Sequence, residues 1–246
     1  KLERAWLQIS TPKPHPFLIF YLWANRSSSW LTQKRVLVGM SGGVEALSEG
    51  ATVGTSSLRR QAQLLAMRPD LKVVPIRGNV QTRLRKLDEG VEGMSATLLA
   101  VAGLRRLGLD ERISAELDVG AMIPAVGQGA LAVQTRSSDV AVRDLVKRLD
   151  DPDTRSAVLA ERAFLARLEG GCQVPIAGHA TLVSGELRLV GFVGTPDGGR
   201  ALCQEITGAV ESAEALGERL ADRLLADGAA EILEAYAGET GGAPRE

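Results

Sequence analysis

Ala51-Thr52-Val53-Gly54-Thr55-Ser56-Ser57-Leu58-Arg59-Arg60, residues 51–60, contains the strand-to-helix turn from which the fold class of this chain can be predicted. A short apolar strand ends at Gly54, and the hydroxyl side chains after it predict the N-cap of a helix that ends before Pro69. Residues 71–76 and 96–102 predict two further strands, with a helix between them that Asn79 caps. Strands that alternate with helices at this spacing predict an α/β domain with a mostly parallel sheet.

A second pattern begins after a glycine-rich turn at residues 124–130. A strand at 131–134 and a helix at 139–149 follow, and Asp151-Pro152 is typical of a helix start with Asp as the N-cap. Beyond that helix we predict three strands near 179–183, 187–193 and 201–206, and two helices at 213–226 and 229–237. The α/β domain at 36–124 is therefore expected to be followed by a small α+β domain at 151–246.

Residues 1–35 differ from the rest of the chain. They hold all three tryptophans and show no strand or helix periodicity of useful length, so we expect a disordered segment. Their apolar run, Phe17 to Trp23, is too short to span a membrane. A signal peptide is an alternative, which the scarcity of cysteines disfavours. Because the chain begins without methionine, we expect a truncated or frame-shifted gene product.

The composition favours a small anionic ligand over a macromolecular partner. The chain has 246 residues, 45% of them hydrophobic, and a net charge of −1, which does not indicate binding to nucleic acid. Arginine supplies 23 of the 29 basic residues. Guanidinium groups bind carboxylates and phosphates in a bidentate manner, although a coding bias toward arginine explains the same excess.

Two strand-to-helix turns carry the candidate anion site. At residues 54–60, free backbone N–H groups, hydroxyls and a helix N-terminus favour an anion, and two arginines lie in the first turn. Arg77 and Arg83 flank the next such turn, and Arg106 follows the third strand. Because ligands of open α/β sheets bind along the carboxyl edge, we expect these arginines to form one continuous basic surface there. The alternative is an ordinary capped helix with solvated arginines.

Cys172 is the candidate reactive residue. It follows the pair Gly170-Gly171, whereas the other cysteine, Cys203, lies in a predicted strand. Two cysteines are too few for a disulfide framework or a cysteine-ligated metal site, so Cys172 would act as a lone thiol. A buried small hydrophobe is the alternative interpretation, since most unpaired cysteines behave in that way.

Several blocks of sequence resemble one family in their order and spacing. They are GTSSLRRQAQ, RPDL, RGNVQTRL, LAVAGLRRLGL, PAVGQGAL and ERAFLARLEGGCQVPI. Over residues 36–238 the chain resembles the porphobilinogen deaminases, also called hydroxymethylbilane synthases. The resemblance implies a cytoplasmic, monomeric transferase of tetrapyrrole and porphyrin biosynthesis, with an α/β domain like that of periplasmic binding proteins. Such enzymes condense four porphobilinogen units, with loss of ammonia, on a dipyrromethane cofactor, and they use no metal.

The resemblance also implies roles for single residues. Cys172 would hold the dipyrromethane through a thioether. The side chains that would bind the acetate and propionate groups of cofactor and growing chain are those of Thr55, Ser56, Ser57, Arg59, Arg60, Arg77, Arg83, Arg106 and Arg162.

The chain departs from the family in its first domain, which is largely missing. Residues 125–150 resemble a remnant of that domain, and we expect its strand to have lost its neighbours and to expose unpaired backbone groups. No residue between 1 and 35 matches the family's catalytic aspartate, and Ser95 replaces a common aspartate. Two hypotheses follow: an enzyme that polymerises porphobilinogen, of which this chain is an inactive copy, and a non-catalytic carboxylate-binding remnant.

Overall fold

The computed structural model describes residues 17–23, 35–39, 42–168 and 175–240. They form a five-stranded sheet with helices on both faces, a two-stranded sheet with one helix, and a C-terminal three-stranded sheet with three helices. Over these ranges, no helix is long and apolar enough to cross a membrane.

The five-stranded sheet consists of β2 (Arg35–Val38), β3 (Thr52–Gly54), β4 (Lys72–Val74), β5 (Met94–Ala100) and β6 (Ala115–Leu117), in the order β4-β3-β5-β2-β6. Strand β3 is parallel to β4 and β5, but β2 is antiparallel to both β5 and β6. The expected mostly parallel sheet is therefore a mixed one, because one reversed strand, β2, lies between β5 and β6. A buried strand has the same apolar pattern in either direction, so the sequence did not reveal the reversal. The likeness to periplasmic binding proteins remains a prediction.

Helices cover both faces of this sheet. Helix α1 (Leu58–Met67) packs through Leu64 into a core that includes Leu98, whereas α2 (Val80–Asp88) and α3 (Val101–Arg106) pack into a second core that includes Leu99. Successive residues of a strand face opposite sides, and both leucines are almost fully buried. Strand β5 is thus covered on both faces, which accounts for its continuous apolar sequence.

The two-stranded sheet contradicts the expectation of an unpaired strand. Strand β1 (Phe17–Trp23) pairs antiparallel with β7 (Ala130–Arg136) over seven residues, and α4 (Val140–Lys147) follows β7. The expectation of disorder for residues 1–35 is therefore wrong for residues 17–23 and for Arg35, which begins β2, and it falls outside the described residues for 1–16 and 24–34. Aromatic and β-branched residues favour strands, but a strand that is apolar at every position shows no period of two.

The C-terminal domain confirms the predicted meander. Strands β8 (Ile176–Val183), β9 (Glu186–Gly194) and β10 (Ala201–Ala209) form an antiparallel sheet. Helices α5 (Pro152–Arg167), α6 (Ala213–Leu224) and α7 (Ala230–Thr240) accompany it. Phe164 of α5 is fully buried in its core, and Gly217 lets α5 and α6 approach so closely that an added Cβ would lie 2.2 Å from the carbonyl oxygen of Ala160.

The α/β domain and the C-terminal domain are in contact through α1. Ala62 of α1 belongs to a small buried cluster with Ile123, Ala177 of β8 and Phe192 of β9. The turn between β9 and β10 also contacts α1, where a Cβ on Gly198 would lie 2.4 Å from the carbonyl carbon of Leu65. Helix α1 therefore fixes the position of the C-terminal sheet as well as the start of the candidate site.

Candidate functional site: a buried arginine cluster

The site begins at the carboxyl ends of β3, β4 and β5. Thr55 is buried and its backbone N–H donates to the carbonyl of Val74 at 2.9 Å, which extends the pairing of β3 with β4. The Thr97 hydroxyl donates to the carbonyl of Gly54 at 2.8 Å and ties β5 to the same point. The carboxyl ends of the three parallel strands thus lie at one edge of the sheet, as the sequence predicted.

The hydroxyl groups at the start of α1 do not cap the helix, contrary to the sequence prediction. The Ser56 hydroxyl donates to the carbonyl of Ile76 at 2.8 Å, and the Thr55 hydroxyl accepts from the N–H of Ser57 at 3.2 Å. Ser57 is the N-cap residue, but its side chain makes no capping hydrogen bond. The backbone N–H groups of the first turn are therefore left for another acceptor, which favours an anion at this helix end.

Arg59 is buried and Arg60 is half-buried at the beginning of α1. One guanidinium nitrogen of Arg59 donates to the carbonyl of Ile123 at 2.6 Å, and one of Arg60 donates to the carbonyl of Leu98 at 2.8 Å. The Nε of Arg60 is buried without a hydrogen-bond partner. Burial first, and then the neighbouring charge of Arg60, lowers the pKa of Arg59 to about 10. Burial and then the charge of Arg83 lower the pKa of Arg60 to about 10.

Arg83 completes a group of three interacting cations, which we call the arginine cluster: Arg59, Arg60 and Arg83. Arg83 lies in the first turn of α2, and its Nε donates to the carbonyl of Gly78 at 2.8 Å. Asn79 caps α2, as predicted, by accepting from the N–H of Thr82 at 2.8 Å. Gly78 has a φ of +123°, and a Cβ there would lie 2.7 Å from the Thr82 side chain, so this turn requires glycine.

The other predicted arginines lie on separate elements. Arg77 is exposed in the turn before α2, and Arg106 is exposed at the last residue of α3. Arg162 is half-buried on α5, next to Glu161. The structure therefore brings Arg59, Arg60 and Arg83 together, while a ligand-binding role for Arg77, Arg106 and Arg162 remains a prediction.

Cys172 lies outside the described residues, which resume at Pro175. The segment that contains it joins two well-packed ends, because Leu168 and Ile176 are both buried in the C-terminal core. Cys203 is exposed on β10, and desolvation followed by the charge of Glu205 raises the pKa of its thiol. A raised pKa reduces the thiolate fraction, so its surroundings make Cys203 a poor nucleophile.

Two buried polar residues were missed by the sequence analysis. Gln63 contacts the backbone of Ile123, and its position four residues after Arg59 places both on the same face of α1. Glu161 is 4% exposed, and its two carboxylate oxygens accept from the N–H of Gly127 at 2.6 Å and of Ala180 at 2.8 Å. Glu161 thereby joins α5 to the glycine-rich turn and to β8.

A polar cleft of about 320 Å³ opens at the other edge of the five-stranded sheet, where β5 begins. Asp88, Ser95, Glu111 and Arg112 are among its lining residues, and Arg112 donates to Asp88 at 2.5 Å. None of the predicted site residues lines it. Ser95, which replaces the expected aspartate, is thus remote from the arginine cluster.

Two family models match most of the chain. Residues 30–144 match the model described as porphobilinogen deaminase, dipyromethane cofactor binding domain, and residues 156–226 match porphobilinogen deaminase, C-terminal domain. The cofactor expected from the sequence motifs is therefore confirmed as that of the matched domain.

Curated proteins named porphobilinogen deaminase agree with this result. The chain is 57% identical over 188 residues to that of Pelobacter propionicus, covering 76% of this chain and 60% of the relative. It is 52% identical over 187 residues to that of Geobacter metallireducens, covering 76% of this chain and 58% of the relative. It is also 52% identical over 190 residues to that of Desulforudis audaxviator, covering 77% of this chain and 61% of the relative. The chain thus spans about three fifths of the length of these relatives. It belongs to the porphobilinogen deaminase family.

Proposed function

We propose that this chain binds dipyrromethane and porphobilinogen through the arginine cluster, as part of a hydroxymethylbilane synthase, the transferase of tetrapyrrole biosynthesis. The observation that carries the proposal is a buried cation, Arg59, beside two half-buried cations, Arg60 and Arg83. No carboxylate of the described residues forms an ion pair with any of the three.

Electrostatics favour an anionic ligand at this place. A pKa of about 10 still lies well above neutral pH, so these guanidinium groups stay charged there. Burial of a charge without a partner costs several kcal/mol, and a bound carboxylate lowers that cost by pairing with it. Each pyrrole ring of the proposed ligands brings two carboxylates, acetate and propionate, which suits a cluster of three cations.

The remaining predicted residues have supporting roles in this proposal. Dipyrromethane, when bound, supplies the terminal pyrrole carbon to which porphobilinogen units couple with loss of ammonia. The thiol of Cys172 would hold it covalently, and the uncapped N–H groups at the start of α1 would donate hydrogen bonds to one carboxylate. The side chains proposed to contact further carboxylates are Thr55, Ser56, Ser57, Arg77, Arg106 and Arg162.

We also propose the domain organisation expected from the sequence. The five-stranded sheet supports a cofactor- and substrate-binding domain at 36–124, and the meander with its helices supports a C-terminal domain at 151–246. Residues 125–150, which contain β7 and α4, would be the remnant of a further domain. A monomeric, cytoplasmic protein remains the expectation.

Titration calorimetry with porphobilinogen tests the proposed binding. We expect Arg60→Leu to weaken binding by about 2–5 kcal/mol, because a ligand carboxylate loses its partner in a desolvated site. Arg60→Lys should restore only part of the affinity, since bidentate geometry is lost. Arg85→Leu is the matched control, because Arg85 lies on α2 with an exposed side chain. Equal affinities for wild type and Arg60→Leu would contradict the proposal.

Carboxylate binding without turnover is the second candidate function. Glu161 is the one buried acidic side chain among the described residues, and both of its oxygens already accept backbone hydrogen bonds. A positioned acid or base contributes about 10²- to 10⁴-fold to a rate. A site without such a group would therefore turn over very slowly. We expect this chain to bind porphobilinogen but to form no hydroxymethylbilane in an absorbance assay. Turnover at an enzymatic rate would favour the enzyme over this candidate.

A further inference from the structure

Gln63 is a buried amide at the base of the arginine cluster. It is 4% exposed and lies one turn after Arg59 on α1. Its Oε1 accepts from the N–H of Ile123 at 2.7 Å, and its Nε2 donates to the carbonyl of the same residue at 3.1 Å. The side chain therefore pairs with both polar groups of Ile123, and this two-point contact fixes the position of that residue.

The carbonyl of Ile123 is also the acceptor that holds Arg59. The Nη1 of Arg59 donates to it at 2.6 Å, the shortest of the hydrogen bonds around Gln63. Gln63 Nε2 donates in addition to the backbone carbonyl of Arg59 at 3.2 Å. One amide thus contacts the main chain of Arg59 and the group that its guanidinium binds.

We infer that Gln63 is a positioning residue, which orients the Arg59 guanidinium for a ligand carboxylate through the carbonyl of Ile123. The inference rests on the proposed function. The role needs a donor and an acceptor on one short planar group, as only an amide of this length supplies both. Without Gln63 the carbonyl of Ile123 is less constrained. Arg59 would keep its hydrogen bond to that carbonyl, but its guanidinium would no longer be oriented toward a ligand carboxylate.

A double-mutant cycle on the full chain tests this role with porphobilinogen as the probe. Gln63→Met keeps the length and apolar packing but removes both hydrogen bonds, and we expect it to weaken binding about tenfold, as for residues in direct contact. Gln61→Met, on the same helix, is the control and should bind as wild type does. In the Arg59→Leu background, Gln63→Met should cause no further loss, because Gln63 acts through Arg59.

Gln63→Glu provides a second variant of nearly the same volume. It keeps the acceptor for Ile123 but places a carboxylate oxygen against two backbone carbonyls and beside Arg59, so we expect a larger loss of binding than with methionine. Urea denaturation of each variant shows how much of the effect is a loss of folding.

The possible failures are separable. An equal tenfold loss from Gln63→Met in the wild-type and Arg59→Leu backgrounds would overturn the positioning role and leave the proposed function intact. Wild-type affinity of Gln63→Met, with Arg59→Leu impaired, would overturn it as well. Wild-type affinity of Arg59→Leu itself would reject the proposed function, and the inference with it.

Discussion

At the scale of single residues, the arginine cluster is unfavourable for folding but suited to binding carboxylates. Arg59 and Arg60 are held by one backbone carbonyl each, and their charges repel. An isolated domain gains nothing from this arrangement, since buried ionic groups can often be replaced by apolar ones at no cost. A cluster that is costly to fold and complementary to carboxylates is typical of a binding site.

Arg60→Leu is therefore expected to cost the folded protein little stability although it weakens binding. Removal of a half-buried, like-charged group should lower Tm by less than about 3 °C, or raise it, because about 1 kcal/mol corresponds to 2–4 °C at this size. Thermal unfolding followed by circular dichroism measures the change, with Arg85→Leu as the control. A fall of about 10 °C would show that Arg60 is a structural residue first.

Arg68 and Asp70 form a polar pair of a different kind. Arg68 donates to Asp70 through Nε and Nη2, both at 2.7 Å, and to the carbonyls of Val44 and Leu47. The hydrogen bond from Arg68, the largest cause, lowers the pKa of Asp70 from 3.8 to about 2. The pair thereby fastens the turn at 44–47 to the end of α1.

This pair predicts part of the acid stability of the protein. Because the pKa of Asp70 is lower in the folded state, its stabilisation is fully present above about pH 4 and is lost as pH falls from about 4 to 2. Asp70→Asn should flatten the fall in unfolding free energy over that range. Glu186→Gln, at an exposed position, is the control. Unchanged pH dependence in Asp70→Asn would refute the assignment.

At the scale of elements, local patterns in the sequence predicted helix starts correctly where a single side chain forms the cap. Asn79 and Asp151 cap their helices as predicted, because each side chain reaches an N–H three residues ahead. The hydroxyls before α1 failed as caps, since that of Thr55 accepts from the N–H of Ser57 and that of Ser56 donates to the carbonyl of Ile76 instead. The direction of β2 and the contact of Gln63 with Ile123 depend on distant residues, which a local pattern does not contain.

The packing of α5 against α6 predicts that a glycine-to-alanine substitution lowers the free energy of unfolding, the opposite of its usual effect inside a helix. Glycine to alanine inside a helix ordinarily stabilises by up to about 1 kcal/mol. At Gly217 the new Cβ would lie 2.2 Å from the Ala160 carbonyl oxygen, so α5 and α6 must separate. We expect Gly217→Ala to destabilise by about 1–3 kcal/mol in urea unfolding. Glu218→Ala, exposed one residue later, should be close to neutral, and a stabilised Gly217→Ala would contradict this packing.

At the scale of the whole molecule, an apolar surface lies on the part that joins the two larger domains. Large apolar side chains are exposed on β7, on α4 and in the turn after α4. They are those of Leu131, Val140, Val142, Leu145 and Leu149. Apolar patches of this kind favour association in solution. The family motifs in the sequence predicted a remnant here, but the pairing of β1 with β7 required the structure.

The double variant Leu145→Glu/Leu149→Glu is expected to reduce any association of the monomer at high protein concentration, because it places charges on two side chains that are 64% and 57% exposed. Sedimentation over a range of protein concentrations measures the effect. Glu214→Lys, a charge change at an exposed position of α6, is the control. Equal association of wild type and the double variant would show that this surface takes no part in it.

The mass of the intact protein shows whether this chain, as we propose, carries dipyrromethane on Cys172. After incubation with porphobilinogen, the account predicts a mass excess of two pyrrole units on wild type and on Cys203→Ser, and none on Cys172→Ser. Arg60→Leu should carry less of the adduct than Arg85→Leu. An adduct that persists in Cys172→Ser, or that wild type never acquires, would contradict the account.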